Sequence, residues 1–525
     1  MEKFLQRFGS KVLGVLCGWD RIVFQGSRRY LASVECFKRY LHWAGIMWKD
    51  FRDHAKAATA ALCRDVEERE ARLGREVHHL PSSDTDKCAE ARKAIAEQKL
   101  THGLVGVWSC VESCRTVGIV GNRSTRQLDV KLQVKKCKHY YHYYLDERFG
   151  LMHTRLQTWY PFSMHICMNG RYWLARQLDQ AGIAYKRKGN CFLRVADMAK
   201  AQELLTAQVN VNWPVLLEEL AQRSNPLEQT LLPRRVPYYW AVQQSEWAAD
   251  LLFKSRQELG KLYPLLVRHA MEHFHSPQVL RFLGHKTPAR TGIHPGYKGE
   301  VTSRMKERPE GVCVHHTTAN GDCKMYDKEG EMLRPEATLS TGAKGFQVLR
   351  TKEGDEQGEK ALRPLRKGVV DMALRAEVSQ QITDRYLDAL AAVAETTSLG
   401  ELTQSICQAV PWHGRRARGL RPLSEDDAAL LEAISRGEWF TTGFRNKDIR
   451  ALLYPAKPEA PEASPKEIRC AGNAVTRKLR LLRAHGLIEK QQGRNSYQLT
   501  EKGRTIITAI QAARRCKPEK LTQAA

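Results

Sequence analysis

Apolar spacing changes several times along the chain, and each change predicts a different element. Residues 1–104 carry apolar positions among charged runs and read as mostly helical, with a polar break at Pro81-Ser-Ser-Asp84. From Gly106 to Val209 the pattern shifts to alternation. Residues 137–145 and 151–159 form an expected hairpin around Asp146-Glu-Arg-Phe-Gly150, and 163–168 a third strand. A helix over 171–181 stops at Gly182, strands follow at 183–186 and 191–195, and a helix covers 198–208. Residues 212–283 again look helical, and 286–311, rich in Gly, Pro and basic residues, reads as a linker or binding loop. A second β-rich unit spans 312–339, and a helix spans 369–393. A basic linker at 411–422 then leads to the most regular pattern in the chain.

In that last segment Ser424, with Asp427 three positions on, precedes Ala428, Leu431 and Ile434 at helical spacing, and Gly437 ends the run. Asn446 is placed to cap a short helix, 447–453, closed by Pro455. A third helix starts near Asn473. Val475, Leu479 and Leu482 make its apolar stripe, while Arg477, Lys478, Arg480 and Arg483 take the remaining surface. Gly486 supplies a C-cap, strands at 487–490 and 496–499 flank a polar turn holding Arg494, and Thr500 caps a final helix. Helix, helix, basic helix, hairpin, helix is the order of a winged helix-turn-helix. An amphipathic helix with arginines outward suits the major groove, and Arg494 on the wing suits the adjacent backbone. Val-Thr-Arg-Lys-Leu-Arg-Leu-Leu-Arg-Ala-His-Gly-Leu-Ile and Tyr-Gln-Leu-Thr-Glu-Lys-Gly-Arg resemble the winged helices of the multiple-antibiotic-resistance-regulator class. A Pro/Ala/Glu-rich insertion, 455–465, departs from that pattern.

The expected fold class is therefore α+β and multidomain. It comprises a helical N-terminal region (1–105), an α/β domain (106–210), a helical segment with basic linker (211–300), a β-hairpin unit plus helix (301–410), the winged helix (420–515) and a tail (516–525).

Composition adds a partner. Of 525 residues, 84 are Lys or Arg and 58 Asp or Glu, a net charge of +26 that internal pairing cannot absorb. A positive field of that size makes DNA, or RNA, the expected partner. No apolar run reaches bilayer-spanning length and no signal peptide is read, so the expectation is a cytoplasmic, bacterial-type protein without membrane contact, with homo-oligomers possible. Fourteen cysteines without framework spacing fit reduced thiols. Cys110, Cys114, Cys137 and His139 have zinc-ligand types, but free buried thiols explain them better than a structural zinc.

Candidate chemistry centres on residues 323–338. Asp327-Lys-Glu-Gly330 reads as a hairpin turn, Arg334, Glu336 and Thr338 share one face of the returning strand, and Pro335 suggests an edge strand. Tyr326, Asp327, Lys328, Arg334 and Glu336 are the expected catalytic group. Asp327 and Glu336 are its expected ligands for Mg²⁺ or Mn²⁺. The Lys-x-Tyr-Asp-Lys…Arg-x-Glu pattern is similar to one in rolling-circle replication initiators, which implies metal-assisted strand nicking and points to His315 and His316 as metal ligands. Adjacent histidines point to opposite strand faces, a departure from the His-x-His of those enzymes. With Asn169-Gly-Arg-Tyr-Trp-Leu-Ala175, the chain also resembles large basic bacterial proteins of undefined function. A further strand, Lys135 to Tyr144, interleaves cations and aromatics. Lys136 and Lys138 there can track phosphates while Tyr141 and Tyr143 stack bases. The sequence thus points to a nucleic-acid-binding protein of a mobile element or replication system, with a possible metal-dependent endonuclease or strand-transfer activity. The alternatives are a non-enzymatic winged-helix regulator and an RNA-binding protein with an accessory winged helix.

Overall fold

The computed structural model describes residues 1–516 apart from 123, 286, 289–291, 295–296, 309–310, 320, 341–345, 356, 394–398, 440–442, 456–463 and 492–493. The chain divides into two units, Met1–Val393 and Ala394–Ala525.

The first unit begins with α1 (Glu2–Phe8), β1 (Val12–Ser27), α2 (Val34–Trp43), α3 (Phe51–Arg72), β2 (His78–His79) and α4 (Lys87–Gln98). A run of strands follows, β3 (Gly103–Asn122), β4 (Gln127–Asp146), β5 (Gly150–Gln157) and β6 (Met164–Asn169). Next come α5 (Gly170–Gln180), the hairpin β7 (Tyr185–Lys188) and β8 (Cys191–Val195), α6 (Met198–Ala207) and α7 (Trp213–Ser224). Then β9 (Tyr239–Phe253) leads through α8 (Arg256–His273) and α9 (Ser276–Phe282) to β10 (Thr302–Arg308), β11 (Gly311–Thr317), β12 (Gly321–Lys328) and β13 (Met332–Ser340). The unit closes with a small pair, β14 (Gln347–Arg350) and β15 (Ala361–Pro364), and with α10 (Met372–Leu390).

Eleven strands make one mixed sheet in the order β10-β11-β12-β13-β9-β1-β6-β5-β4-β3-β2, antiparallel throughout except for β2 against β3. The order reads alike in both directions from the central β1–β9 pair. On each side a long strand gives way to helices, and a four-strand meander then returns its last strand beside the long one. The two β-rich segments of the sequence thus repeat one topology within a single sheet. Boundaries drawn at 105, 210 and 300 fall inside a single unit, because strands from all of those segments hydrogen-bond to one another.

β1 and β9 correct the helical expectation for 12–27 and 239–253. Residues 245–253 of β9 and 18–20 of β1 are buried without a break, because both faces are covered there, and so alternation is lost where the two strands carry their acids. On one face Trp19, Ile22, Phe24 and Ile166 pack with α2, α3 and α7, while Leu251, Leu333, Ala337 and Leu339 pack against α8, α9 and α10. On the other face α5, β8 and α6 lay Leu174, Leu178, Phe192 and Leu205 over Leu16 of β1. Asn169 fixes the start of α5 by accepting from the amides of Arg171 and Tyr172. Gly170 brings that helix so close to β1 that a Cβ would stand 2.2 Å from the Trp19 carbonyl oxygen.

β13 is an interior strand rather than an edge. Pro335 is accommodated because the ladder to β9 skips Arg334 and Pro335, resuming at Glu336↔Ala248. The 302–308 part of the expected linker is strand β10, whose outward residues are mostly charged and suit a sheet edge.

The second unit contains α11 (Leu399–Cys407), a hairpin of β16 (Val410–Trp412) and β17 (Arg415–Ala417), and α12 (Glu425–Ile434). Helices Asn446–Leu453 and Pro465–Ala484 follow, then β18 (Ile488–Lys490), β19 (Tyr497–Leu499) and a helix Glu501–Arg515. Leu430, Leu431, Ile434, Ile449, Val475, Leu479, Leu482 and Ile506 form its core. The basic helix starts eight positions before the expected Asn473. Ser464 and Glu467 make a reciprocal capping box there with Pro465 in the first turn. Asn446 does not cap its helix; its amide donates to the Gly472 carbonyl at 3.0 Å and to Thr476 Oγ1 at 2.9 Å, tying the two helices together. The expected basic linker at 411–422 holds the β16–β17 hairpin instead. Most of the 455–465 insertion lies outside the described residues.

Candidate functional site

The β1–β9 ladder slips between Trp19↔Trp247 and Ile22↔Ser245, so Asp20 and Arg21 together face Glu246. Such a bulge turns two consecutive side chains onto one face. Glu336 reaches the same face from β13, beside β9. Carboxylate oxygens of Asp20, Glu246 and Glu336 all lie within 4.8 Å of one another and are buried. Among the described residues this is the one group of three or more metal-ligating side chains near enough to share an ion. The Thr338 hydroxyl, on the same face and cross-strand from Glu246, is buried and has no hydrogen-bond partner among the described residues.

A web of amides and cations holds these acids. Asn190, in the β7–β8 turn, donates to both oxygens of Asp20 at 2.9 and 2.8 Å, and Asn169 donates to Asp20 Oδ1 at 3.2 Å. Burial alone would raise the Asp20 pKa, but Arg334, Arg171 and those two amides outweigh it and hold the carboxyl below its ordinary range. Arg334 forks onto Asp250 through Nε and Nη2 and stands 3.5 Å from Asp20 through Nη1. Arg171 pairs with Asp250 at 3.1 Å. On the outer side Arg21 meets Glu246 at 2.7 Å, and Lys324 Nζ lies 2.8 Å from Glu336 and 3.7 Å from Glu246. Burial and the charge of Glu336 push the Glu246 pKa up. Burial opposes the Lys324 charge, yet Glu336 and Glu246 raise its pKa. Asp20, Glu246, Asp250 and Glu336 are therefore balanced by Arg21, Arg171, Lys324 and Arg334. Lys324 already occupies a cation position between two of the acids.

The residues singled out in 315–336 divide between the two sheet faces. Lys324↔Glu336 and Tyr326↔Arg334 are cross-strand pairs, so Tyr326, Lys328, Arg334 and Glu336 share the face of the acidic group. Lys328 Nζ lies over the Tyr326 ring at 4.7 Å. Asp327 pairs with Leu333 and points to the opposite face, so it and Glu336 cannot hold one ion. Burial raises its pKa. His315 shares the face of Lys324 and lies 3.1 Å from Asp322 Oδ2, whereas His316 is buried among Phe274 and Tyr386. Burial lowers the His316 pKa to about 4. The expected His315–His316 metal pair is split by strand alternation.

Tyr140, Tyr141, Tyr143 and Tyr144 are all buried, so neither face of that strand offers rings to solvent. Tyr141 donates to Glu112 at 2.7 Å beneath Lys87 of α4, and Tyr143 packs edge-on to Trp108. Lys136 is exposed, and Lys138 lies over the Tyr140 ring. On the facing strand positions Cys110 donates its thiol to Glu112, and Cys114 and Cys137 interact with each other. In the second unit Arg477, Arg480 and Arg494 are exposed; Lys478 lies 4.0 Å from Asp426, and Arg483 stacks over Trp412.

Sequence reasoning placed Glu336 and Arg334 but missed Asp20, Arg21, Asn190, Glu246 and Lys324. One signal was present. Asp20 is an acid set inside the apolar run from Val12 to Phe24, where an ionised side chain is costly unless partnered. Comparison with known protein families, with characterised proteins and with solved structures finds no match to this chain.

Proposed function

We propose that this is a nucleic-acid-binding protein of the kind a mobile element or replication system uses. It docks on DNA through a winged helix in residues 394–525 and cuts or transfers a strand with a divalent ion held by Asp20, Glu246 and Glu336. The observation that carries this reading is the convergence of those three carboxylates, from strands far apart in sequence, beside the unpartnered Thr338 hydroxyl. Hard oxygen ligands of this kind suit Mg²⁺ or Mn²⁺, which would supply charge neutralisation at a phosphodiester. Arg21, half exposed at the rim, and Lys324 are placed to receive the phosphate charge, and exposed Lys186 and Arg187 of the β7–β8 hairpin extend the positive surface. The excess of 26 positive charges favours a polyanionic substrate.

Manganese binding by paramagnetic resonance, paired with cleavage of single-stranded and duplex probes, tests it. The wild type should bind Mn²⁺ and yield a cleaved or covalently linked product, and Glu336→Gln should lose both while retaining its fold.

A second reading has a specific observation behind it. The four carboxylates are already neutralised by four cations, which is what a purely structural ion network needs. Under that reading the protein is a non-enzymatic winged-helix regulator. Absence of Mn²⁺ binding and of any product in the wild type would put it in place of the first.

A further inference from the structure

Arginines near the start and along the basic helix of the second unit differ in whether they have a structural partner. Arg418 forks onto buried Asp427 at 2.8 and 2.7 Å, and Arg483 stacks over Trp412, so both have structural partners. Arg415, Arg416, Arg477 and Arg480 are exposed and make no side-chain hydrogen bond or ion pair among the described residues. Two of these unpartnered arginines lie on the basic helix Pro465–Ala484. The other two lie on the β16–β17 hairpin, which sequence reading treated as a linker.

That hairpin is a built element. Trp412 pairs with Arg415 across a His413-Gly414 turn whose φ angles, 48° and 74°, are both left-handed. This is the two-residue turn that matches the twist of paired strands. A strained φ at His413 persists only where the surroundings fix it. The fixing contacts are present: the Arg483 guanidinium lies 5.5 Å from the centre of the Trp412 ring, and the Arg418 carbonyl pairs with His485 Nε2 at 2.8 Å. Leu420 then donates its amide to Ile406 at 2.8 Å. The hairpin is thereby pinned to the last turn of the basic helix. Arg483 follows Arg480 by three residues, less than one helical turn.

We infer that the β16–β17 hairpin is a second phosphate-contacting element, which places Arg415 and Arg416 on the DNA backbone beside the groove entered by the helix carrying Arg477 and Arg480. The inference rests on the winged-helix docking reading and adds to it a contact that a plain winged helix lacks. The ligand chemistry is the phosphodiester backbone. Arg415 and Arg416 alternate across the hairpin and so meet phosphates on its two sides, and such exposed guanidinium groups on a rigid hairpin position a duplex without reading its bases.

The test uses the full chain and a fluorescent duplex of random sequence, titrated across a range of NaCl concentrations. Each phosphate contact contributes about 0.9 to the slope of log affinity against log salt. Arg415→Ala with Arg416→Ala should flatten that slope by about 1.8, and Arg415→Lys with Arg416→Lys should largely preserve it, because lysine still supplies a point charge. Arg477→Ala with Arg480→Ala is the reference. If the reference pair flattens the slope and the hairpin alanine pair does not, the hairpin inference falls and the docking reading stands. If neither pair changes it, the docking reading fails and takes the hairpin with it. A lysine pair as defective as the alanine pair would also overturn the inference, since charge would then not be what the hairpin contributes. Melting of each variant separates loss of contact from loss of fold, and the lysine pair keeps the test open should the alanine pair unfold.

Discussion

Lys324→Met separates a cation-binding acidic group from a closed ionic network, because the two give opposite responses to metal. Lys324 Nζ lies 2.8 Å from Glu336 and 3.7 Å from Glu246, with 12% of its side chain exposed against 6% for Glu336 and 11% for Glu246. Methionine keeps the apolar stem and removes the charge, leaving two buried carboxylates that repel each other with Arg21 as their nearest counter-charge. Removing one partner of a buried pair costs about 3–5 kcal/mol, and the half-exposed Arg21 can relax to recover some of it, so about 3 kcal/mol is expected. With about 2.1 cal/mol/K of unfolding entropy per residue, a unit of this length loses about 4 °C in Tm. Mn²⁺ at about a hundred times its Kd should then return about 2.7 kcal/mol, or about 3 °C, to the variant. Metal binding in the wild type must first displace Lys324, so the wild type should respond less at the same concentration. The assay is differential scanning calorimetry with and without Mn²⁺ on both proteins. A variant that is destabilised but unmoved by Mn²⁺ would show that Lys324 closes a structural network and that the acids hold no ion, and one that melts with the wild type would refute the stabilising role of the Lys324 pair.

Three further expectations follow from contacts elsewhere. Tyr140→Ala should cost about 3–5 kcal/mol in thermal or denaturant unfolding and leave single-strand affinity unchanged, because the ring is fully buried. Gly170→Ala should destabilise by about 1–3 kcal/mol or more, since its Cβ would meet the Trp19 carbonyl and Gln208 Oε1, and it should weaken Mn²⁺ binding by shifting the neighbouring Asp20 bulge. Asp427 carries a carboxyl that burial would raise, but bonds from Arg418 and the Arg421 amide hold its pKa below the ordinary range. That stability is present above about pH 4 and is lost as pH falls through the lower folded value. Asp427→Asn should therefore remove about 1–2 kcal/mol from the second unit at neutral pH, discounted for the exposed Arg418, and flatten its acid limb in pH-dependent melts.

The repeated strand topology explains why the acidic group sits where it does. Asp20 comes from one half, Glu246 and Glu336 from the other, and the ladder slip that turns Asp20 and Arg21 onto one face occurs at the seam between the halves. A bulge inside either meander would leave its residues to one set of neighbours. At the seam it faces a second long strand, whose own acids, Glu246 and Asp250, lie on the same face. The cost of burying four carboxylates is met by cations that also come from separate segments: Arg21 from β1, Arg171 from α5, Lys324 from β12 and Arg334 from β13. Losing any one segment would leave a buried charge unpaired, so the site and the sheet must form together.

That same coupling sets how much was legible in the sequence. Glu336, Arg334 and Thr338 were placed on one face by local alternation, and the register bears out their shared face. Alternation is a local property that a strand with one polar face displays. β1 and β9 lose it where residues 18–20 and 245–253 are buried on both faces, and so the strands that carry Asp20 and Glu246 were read as helix. The Tyr140–Tyr144 strand misled in the opposite sense. Cations among aromatics looked like a half-exposed surface, but helices and neighbouring strands bury the rings through contacts distant in the chain, such as Tyr140 with Glu67 of α3 and Tyr144 with Ser224 of α7. The second unit was the most readable because its helices are amphipathic and their apolar stripes are complete within the segment. Its β16–β17 hairpin, misread as a linker, has strands of only three residues each, too short for periodicity to register. What fixes that hairpin is a stack between Trp412 and Arg483, and no local pattern announces a contact between residues so far apart in the chain.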